Sequence, residues 1–443
     1  MSGIAHEVWH PGFCGLLRQI KGNELLGMDD LCAQQLSRLR SMLRFAFLEV
    51  PYYRNYAARM GISVDEIRTR DDLVRLPIVN RRELQDSLAD FLPVSRHNPL
   101  DRDASTSGTT GTPVTYRLSR RDRAVGLALM YRGWGYSGYQ LGDRVLLLAG
   151  RSLESSSHCW FSSLGDFARN IVKLSAFDMS DGALLQYVGL INRRRPAYVR
   201  GYASALRVLA RRIRLTKTIV WQPRAVFTTA EVLLPETRKE ISNAFGCPVF
   251  DGYGLNDGGV SAYECEEHCG FHVDMERSIL EVVNEQGIPL VEGTGRIVAT
   301  TLTNYAMPLV RYDTGDVGEM KREQCSCGRQ RPLLKAIHGR STDILVTPEG
   351  KLVHGWFFVY LLRSKNRFVK EFEVVQESMR DVSLILVPGE KYDRVFEDRL
   401  RMVIRAISPG WVVRIETVES IQSTSDEKMK YVRTMVSAVD TIS

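Results

Sequence analysis

Two groups of residues have types and spacings that could do chemistry. The first, "STSGTTGTPVTY" (Ser105 to Tyr116), packs hydroxyls around two glycines and stops at a proline. Glycine allows close backbone approach, successive exposed N–H groups form an anion-binding concavity, and serine and threonine hydroxyls add donors to phosphate oxygens. The stretch lacks G-x-x-x-x-G-K-[ST], so it is not the P-loop of NTPases. Alone it fits a polar surface turn as well as a phosphate loop. The second group is "ECEEHCGFH" (Glu264 to His272), with Cys265, His268, Cys269 and His272, and "CSCGR" (Cys325 to Arg329), with Cys325 and Cys327. Soft thiolates and imidazoles at short spacing suit tetrahedral zinc, where four ligands close a structural site. Separately each pair reads as buried thiols; together they would staple the segment between them. Cys14, Cys32, Cys159 and Cys247 have no such companions and read as core or surface thiols.

The elements that must position these groups follow from length and pattern. A chain of 443 residues, 44% apolar and 25% charged, is an ordinary folded protein of two or more domains. Met28 to about Leu92 is helical in pattern. Beyond the hydroxyl-rich loop, short runs such as "DRVLLLAG", "PRAVFTTA" and "CPVFDGYG" alternate with helical stretches such as "ETRKEISNAFG", which predicts an α/β fold with largely parallel pairing. From Gly287, "GIPLVEGTGRIVATTL" reads as antiparallel strands. The last hundred or so residues, with strands "KEFEVVQE" and "VSLILVPG" and helix "YDRVFEDRLRMVIRAI", read as a small α+β domain joined near Arg340. The expected division is therefore 1–339, with a β-rich, zinc-bearing segment at about 260–335, and 340–443. A net charge of +7 suits a polyanion, and ATP or coenzyme A satisfies it as well as nucleic acid does. The densest basic run, "INRRRPAYVR", reads as a solvated helix end before Pro196. No apolar run reaches the roughly 20 residues that span a bilayer. The start "MSGIAHEVWHPGFCG" does not read as a secretory signal, so a cytoplasmic location is expected.

The hydroxyl-glycine stretch is followed in order by "TTAE" (Thr228 to Glu231), "DGYGLNDGG" (Asp251 to Gly259), "RYDTGD" (Arg311 to Asp316) and "GRSTD" (Gly339 to Asp343). This series resembles the adenylate-forming ligases, and within them the phenylacetate-coenzyme A ligase group with its capsule-biosynthesis relatives. The resemblance runs from about Val50 onward, with "AMPLVRYDTGD" and "CSCGRQRP" as its most specific stretches. It implies an α/β fold: a large N-terminal adenylate-forming domain of parallel and mixed sheets with helices and a β-rich subdomain, and a small mobile α+β C-terminal domain. It also implies a two-step reaction. A carboxylate attacks the α-phosphorus of ATP with release of pyrophosphate, and a nucleophile, commonly the thiol of coenzyme A, then displaces AMP. Such chemistry needs positioning and charge neutralisation more than a side-chain nucleophile.

By the same resemblance, Ser107, Gly108, Thr109, Thr110, Gly111 and Thr112 would fold over the β- and γ-phosphates, with Thr112 standing where many relatives have lysine. Ala230, Glu231, Asp251, Gly252, Tyr253, Gly254 and Asn256 would border the nucleotide, Tyr253 packing on adenine, and Asp257 would hold Mg2+. Asp316 would take the ribose hydroxyls, Arg340 would contact the ribose, and Asp343 would sit at the hinge. In "STSDEKMKYVRT" Lys428, with Lys430 as runner-up, would reach the carboxylate and α-phosphate during adenylation. The zinc ligands implied are Cys265, His272, Cys325 and Cys327, with Cys269 as the competing fourth. Expected partners are a small carboxylic acid, aromatic in one version, and an acceptor that is coenzyme A or an amine or hydroxyl; a homodimer is allowed, and neither a membrane nor a nucleic acid is expected. The acid would lie near "YRGWGYSGY" (Tyr131 to Tyr139) and "SSSHCWFSSLG" (Ser155 to Gly165), whose aromatics are as readily core as pocket.

Overall fold

The computed structural model describes residues 6–8, 10–95, 98–105, 114–149, 166–176, 178–340, 344–363, 367–421 and 432–436. Helices α1 (Phe13–Gly22), α2 (Met28–Glu49), α3 (Pro51–Met60) and α4 (Arg81–Asp86) lead to the hairpin β1 (Arg102–Ser105) and β2 (Thr115–Leu118). The helices stop where their sequences say they should. Gly61 adopts φ 64° after α3, and Asn80 forms a reciprocal capping box with Glu83 at the start of α4. Leu39, Leu43, Tyr53 and Phe91 bury a shared core against Val310 and Tyr312, and the Tyr53 hydroxyl accepts the Val310 N–H at 2.8 Å.

One 11-stranded sheet runs through most of the chain. Its parallel half is β4 (Ile171–Ser175), β3 (Val145–Ala149), β5 (Tyr198–Tyr202), β6 (Ala225–Thr229) and β7 (Val249–Gly254), in that spatial order. Helix α5 (Arg120–Gly135) precedes β3, and α6 (Asp181–Arg194), α7 (Ala203–Thr216) and α8 (Pro235–Phe245) are the crossovers. Side chains alternate across the sheet. Leu146, Val199, Val226 and Val249 pack under α6, α7 and α8, while Val145, Tyr198, Phe227 and Phe250 face α1 and α5. The basic run ends α6 at Arg194, with Arg195 at φ 45°, as expected of a solvated helix end.

The sheet then continues antiparallel through β8 (Ser261–Glu264), β9 (Phe271–Val273), β13 (Leu333–Arg340), β12 (Tyr312–Lys321), β11 (Gly293–Thr301) and β10 (Ser278–Val283). The antiparallel strands therefore begin at Ser261, ahead of the run from Gly287, and share one sheet with the α/β half. Beyond Arg340 a second core holds β14 (Ile344–Val346), β15 (Leu352–His354), α9 (Trp356–Arg363), β16 (Val369–Gln376), β17 (Asp381–Pro388), α10 (Arg394–Ile407), β18 (Val412–Thr417) and β19 (Val432–Thr434). Its four-stranded sheet has the order β18-β17-β16-β19, and Leu345, Phe358, Leu384, Leu400 and Trp411 pack together on it. Among the described residues, no helix is long and apolar enough to cross a membrane.

Candidate active site and metal centre

The described parts of the quoted motifs, "TTAE", "DGYGLNDGG", "RYDTGD" and Gly339 with Arg340, meet at the carboxyl ends of the central parallel strands, where ligands bind in open α/β sheets. "TTAE" closes β6. Thr229 pairs with Gly252, Ala230 takes a left-handed φ of 64°, and Glu231 turns back to cap α7, accepting the Ser204 N–H at 2.7 Å and its hydroxyl at 2.8 Å. Left-handed alanine is strained backbone of the kind that clusters at functional sites. "DGYG" is β7 itself. Thr228 donates to Asp251 at 2.6 Å, and burial together with the Glu264 carboxylate pushes Asp251 up to about 6. A side chain at Gly252 would press on the Tyr263 ring, which also fills the space left by Gly133 of α5, so both glycines let that ring lie flat under the site.

Tyr253, Asp316 and Arg340 come together although they lie up to 87 residues apart in number (340 − 253). The Tyr253 hydroxyl donates to Asp316 Oδ2 at 2.8 Å, and Arg340 Nε lies 3.0 Å from Asp316 Oδ1. The register Asp316↔Arg340 between β12 and β13 fixes that pair, and Arg340 also donates to the Thr314 carbonyl at 3.0 Å. Burial pushes Asp316 above the usual carboxylate range, opposed by Arg340 and Tyr253 and reinforced by the Asp257 charge. Asp257 is buried and accepts from the Tyr312 hydroxyl at 3.3 Å, which leaves most of its acceptor capacity for another group. Asn256 is exposed and accepts from Arg277 at 3.3 Å.

Sequence reasoning missed the groups that set these residues. Arg277, paired with Asp122 of α5 at 2.6 Å, holds Asn256 from below. Arg311, buried at φ 50°, bonds Glu281 at 3.2 Å and the Gly287 carbonyl at 2.6 Å and so fixes the entry to "YDTGD". Arg311 was visible only as the first residue of the quoted "RYDTGD", with no role assigned to it. Arg277 had no signal, because its partner lies 155 positions away. The aromatic run 131–139 is core: Trp134 stacks on Phe227 with centroids 4.9 Å apart, and Tyr131 on Tyr139 at 5.5 Å. Ser107 to Thr112, Ser155 to Gly165, Asp343, Lys428 and Lys430 lie outside the described residues.

The cysteine-histidine quartet also assembles. The ligand atoms of Cys265, His272, Cys325 and Cys327 all lie within 4.8 Å of one another, three of the four residues buried. Cys265 Sγ is 3.6 Å from Cys325 Sγ, and Cys327 Sγ is 3.3 Å from His272 Nε2. Those separations are near the edges of a tetrahedron with metal bonds of about 2.0–2.3 Å. Burial lowers His272 to about 4, so its imidazole is neutral and able to ligate. Cys269 Sγ sits 3.1 Å from Cys325 Sγ, at the rim of the same cluster, whereas His268 turns away to Glu264 at 3.3 Å.

Comparison with known proteins agrees with this architecture. Residues 345–434 match the CapK C-terminal domain family. The chain is 29% identical over 333 residues to a phenylacetate-coenzyme A ligase of Thermus thermophilus, covering 73% of each, and 22% identical over 373 residues to Protein CapK of Staphylococcus aureus, covering 83% of this chain and 80% of the other. A crystal structure of 2-hydroxyisobutyryl-CoA ligase in the postadenylation state superposes with a TM-score of 0.69 at 20% identity, covering 93% of this chain and 91% of that one. Motifs, sheet order and relatives coincide: the chain is similar to the phenylacetate-coenzyme A ligases and to CapK, and it shares the fold of 2-hydroxyisobutyryl-CoA ligase.

Proposed function

We propose that the protein activates a carboxylic acid with ATP, forming an acyl-adenylate and pyrophosphate, and passes the acyl group to coenzyme A. The observation that carries this reading is the convergence of Tyr253, Asp316 and Arg340 beside buried Asp257 at the carboxyl ends of β6 and β7. In this reading Asp316 accepts from the ribose hydroxyls, as an ionised carboxylate can, while Arg340 holds its orientation and charge. Asp257 would hold Mg2+, which supplies neutralisation of phosphate charge when bound. The hydroxyl-glycine stretch would receive the outer phosphates and Lys428 the reacting centre. The chain divides, on this proposal, at about Arg340 into an adenylation domain and a small domain that moves between the half-reactions. Cys265, His272, Cys325 and Cys327 would carry a structural zinc.

Carboxylate-dependent exchange of labelled pyrophosphate into ATP tests the reading. Exchange with at least one acid of a broad panel is expected; none with zinc-loaded, folded protein overturns it. The CapK match over 345–434 favours a second acceptor class, since that unit would shape the second half-reaction. An amine or hydroxyl would then replace the thiol. AMP release measured with coenzyme A, with amines and without acceptor separates the two.

A further inference from the structure

The arginines buried at the heart of the large sheet are matched by carboxylates. Arg132 pairs with Asp274 and Glu276, Arg277 with Asp122, Arg311 with Glu281, and Arg331 with Glu24 and Glu276. Arg200, in the middle of central strand β5, has no carboxylate partner among the described residues. The ionisable groups that face it are the tyrosines Tyr263, Tyr131 and Tyr202, and burial lowers its pKa. Its guanidinium carbon lies 5.2 Å over the Trp134 ring. A guanidinium partly withdrawn from water without a counter-charge is a candidate for binding an anion.

Its place in the sheet says which anion. Arg200 is in register with Leu147 and Phe227, on the face covered by α5. Two residues further along the strands, Thr229 and Gly252 stand in register with Tyr202, the row that borders the proposed nucleotide site, about 6.6 Å away at 3.3 Å per residue. Arg200 is half-buried, so a ligand reaching down from that row can meet it. We infer that Arg200 binds a second anionic group on the acid substrate, so that the preferred substrates are doubly charged, such as dicarboxylic acids. The reacting carboxylate lies at the strand ends and the second anion pairs with Arg200 between the aromatic rings. This inference rests on the adenylation reading for the identity of the acid.

The test uses matched pairs, butyrate against succinate and phenylacetate against 4-carboxyphenylacetate, on the full chain and on Arg200→Met and Arg200→Lys. Pyrophosphate exchange gives kcat/KM, and thermal stabilisation by each acid without ATP gives binding. In at least one pair the wild type should favour the doubly charged acid about 10- to 100-fold, the range of a charge-assisted hydrogen bond in a dry site. Arg200→Met should reverse the ratio with the KM for ATP unchanged, and Arg200→Lys should keep its sign. Wild-type preference for the singly charged acid in every pair, or an unchanged ratio in Arg200→Met, overturns the role of Arg200 and leaves adenylation standing. Stabilisation by a doubly charged acid that needs Arg200, without exchange by any acid, upholds the role of Arg200 and overturns adenylation. No exchange and no such stabilisation overturns both.

Discussion

Asp316 answers to two partners, Tyr253 and Arg340, and on the proposed function to a third, the ribose. Asp316→Asn keeps one acceptor but removes the charge that balances Arg340. Charge-assisted hydrogen bonds of this kind are worth about 1.5–3 kcal/mol, so kcat/KM for ATP in the exchange assay should fall about 10- to 100-fold, with a smaller fall in melting temperature. An unchanged KM for ATP would remove Asp316 from the nucleotide site. Asp251 makes a different prediction, because its pKa is raised from 3.8 to about 6 by burial and by Glu264. A carboxyl with a raised folded pKa holds its proton more tightly when folded, so its contribution to stability is complete below about pH 4 and is lost as pH rises through about 6. Asp251→Asn keeps an acceptor for Thr228 and removes the titration. The stability of wild type minus variant should therefore fall between pH 4 and 6 and level off above 7, read by urea denaturation; a difference that rises over that window contradicts the assignment.

At the scale of elements, the quartet joins three pieces of chain. Cys265 follows β8, His272 lies in β9, and Cys325 and Cys327 lie in the connection from β12 to β13, while Leu333 pairs with His272 across β13 and β9. A zinc there would tie strands 60 residues apart in sequence, as Cys265 and Cys325 are. Purified protein should hold one equivalent of zinc by elemental analysis. Cys325→Ser should lose it and melt at lower temperature, whereas Cys269→Ser should retain it if Cys269 is only the neighbour its position suggests. Absence of zinc from undenatured wild type would sink the staple. The cluster of thiols and imidazoles was legible in sequence from residue type and short spacing, while the choice of Cys265, His272, Cys325 and Cys327 within it came from the family resemblance. The ends of β6 and β7 were legible for a related reason, since each motif is local. The joining of the parallel and antiparallel halves was not, because β7 to β8 and β9 to β13 pairing depends on which faces bury one another rather than on either run alone. Arg200 and Arg277 escaped notice likewise: each reads as one more surface arginine until Trp134 and Asp122 of α5 are laid against them.

In the whole molecule, a buried glutamine links the beginning and end of the unit beyond Arg340. Gln376 of β16 accepts the Val346 N–H at 2.9 Å and donates to the Val346 carbonyl at 2.6 Å, while the Thr434 hydroxyl donates to it at 3.2 Å. Strand β14, entered four residues after Arg340, and β19, entered four residues after Lys428, are thus fixed to one point. On the proposed function, a displacement of this unit would move β14 and β19 together, and Arg340 and Lys428 each stand four residues before one of them in the sequence. That coupling suits a lysine needed in only one of two half-reactions, because a cation helps where negative charge accumulates and not after the charge has left. Lys428→Ala should lower pyrophosphate exchange by about 100-fold or more, yet leave thermal stabilisation by ATP and the conversion of synthetic acyl-adenylate with coenzyme A near wild type. Lys430→Ala should stay within about threefold in exchange, as expected of a solvated charge. The larger loss in Lys430→Ala would transfer the role to that residue, and wild-type exchange in both variants would mean that this unit supplies no cation to the adenylation step.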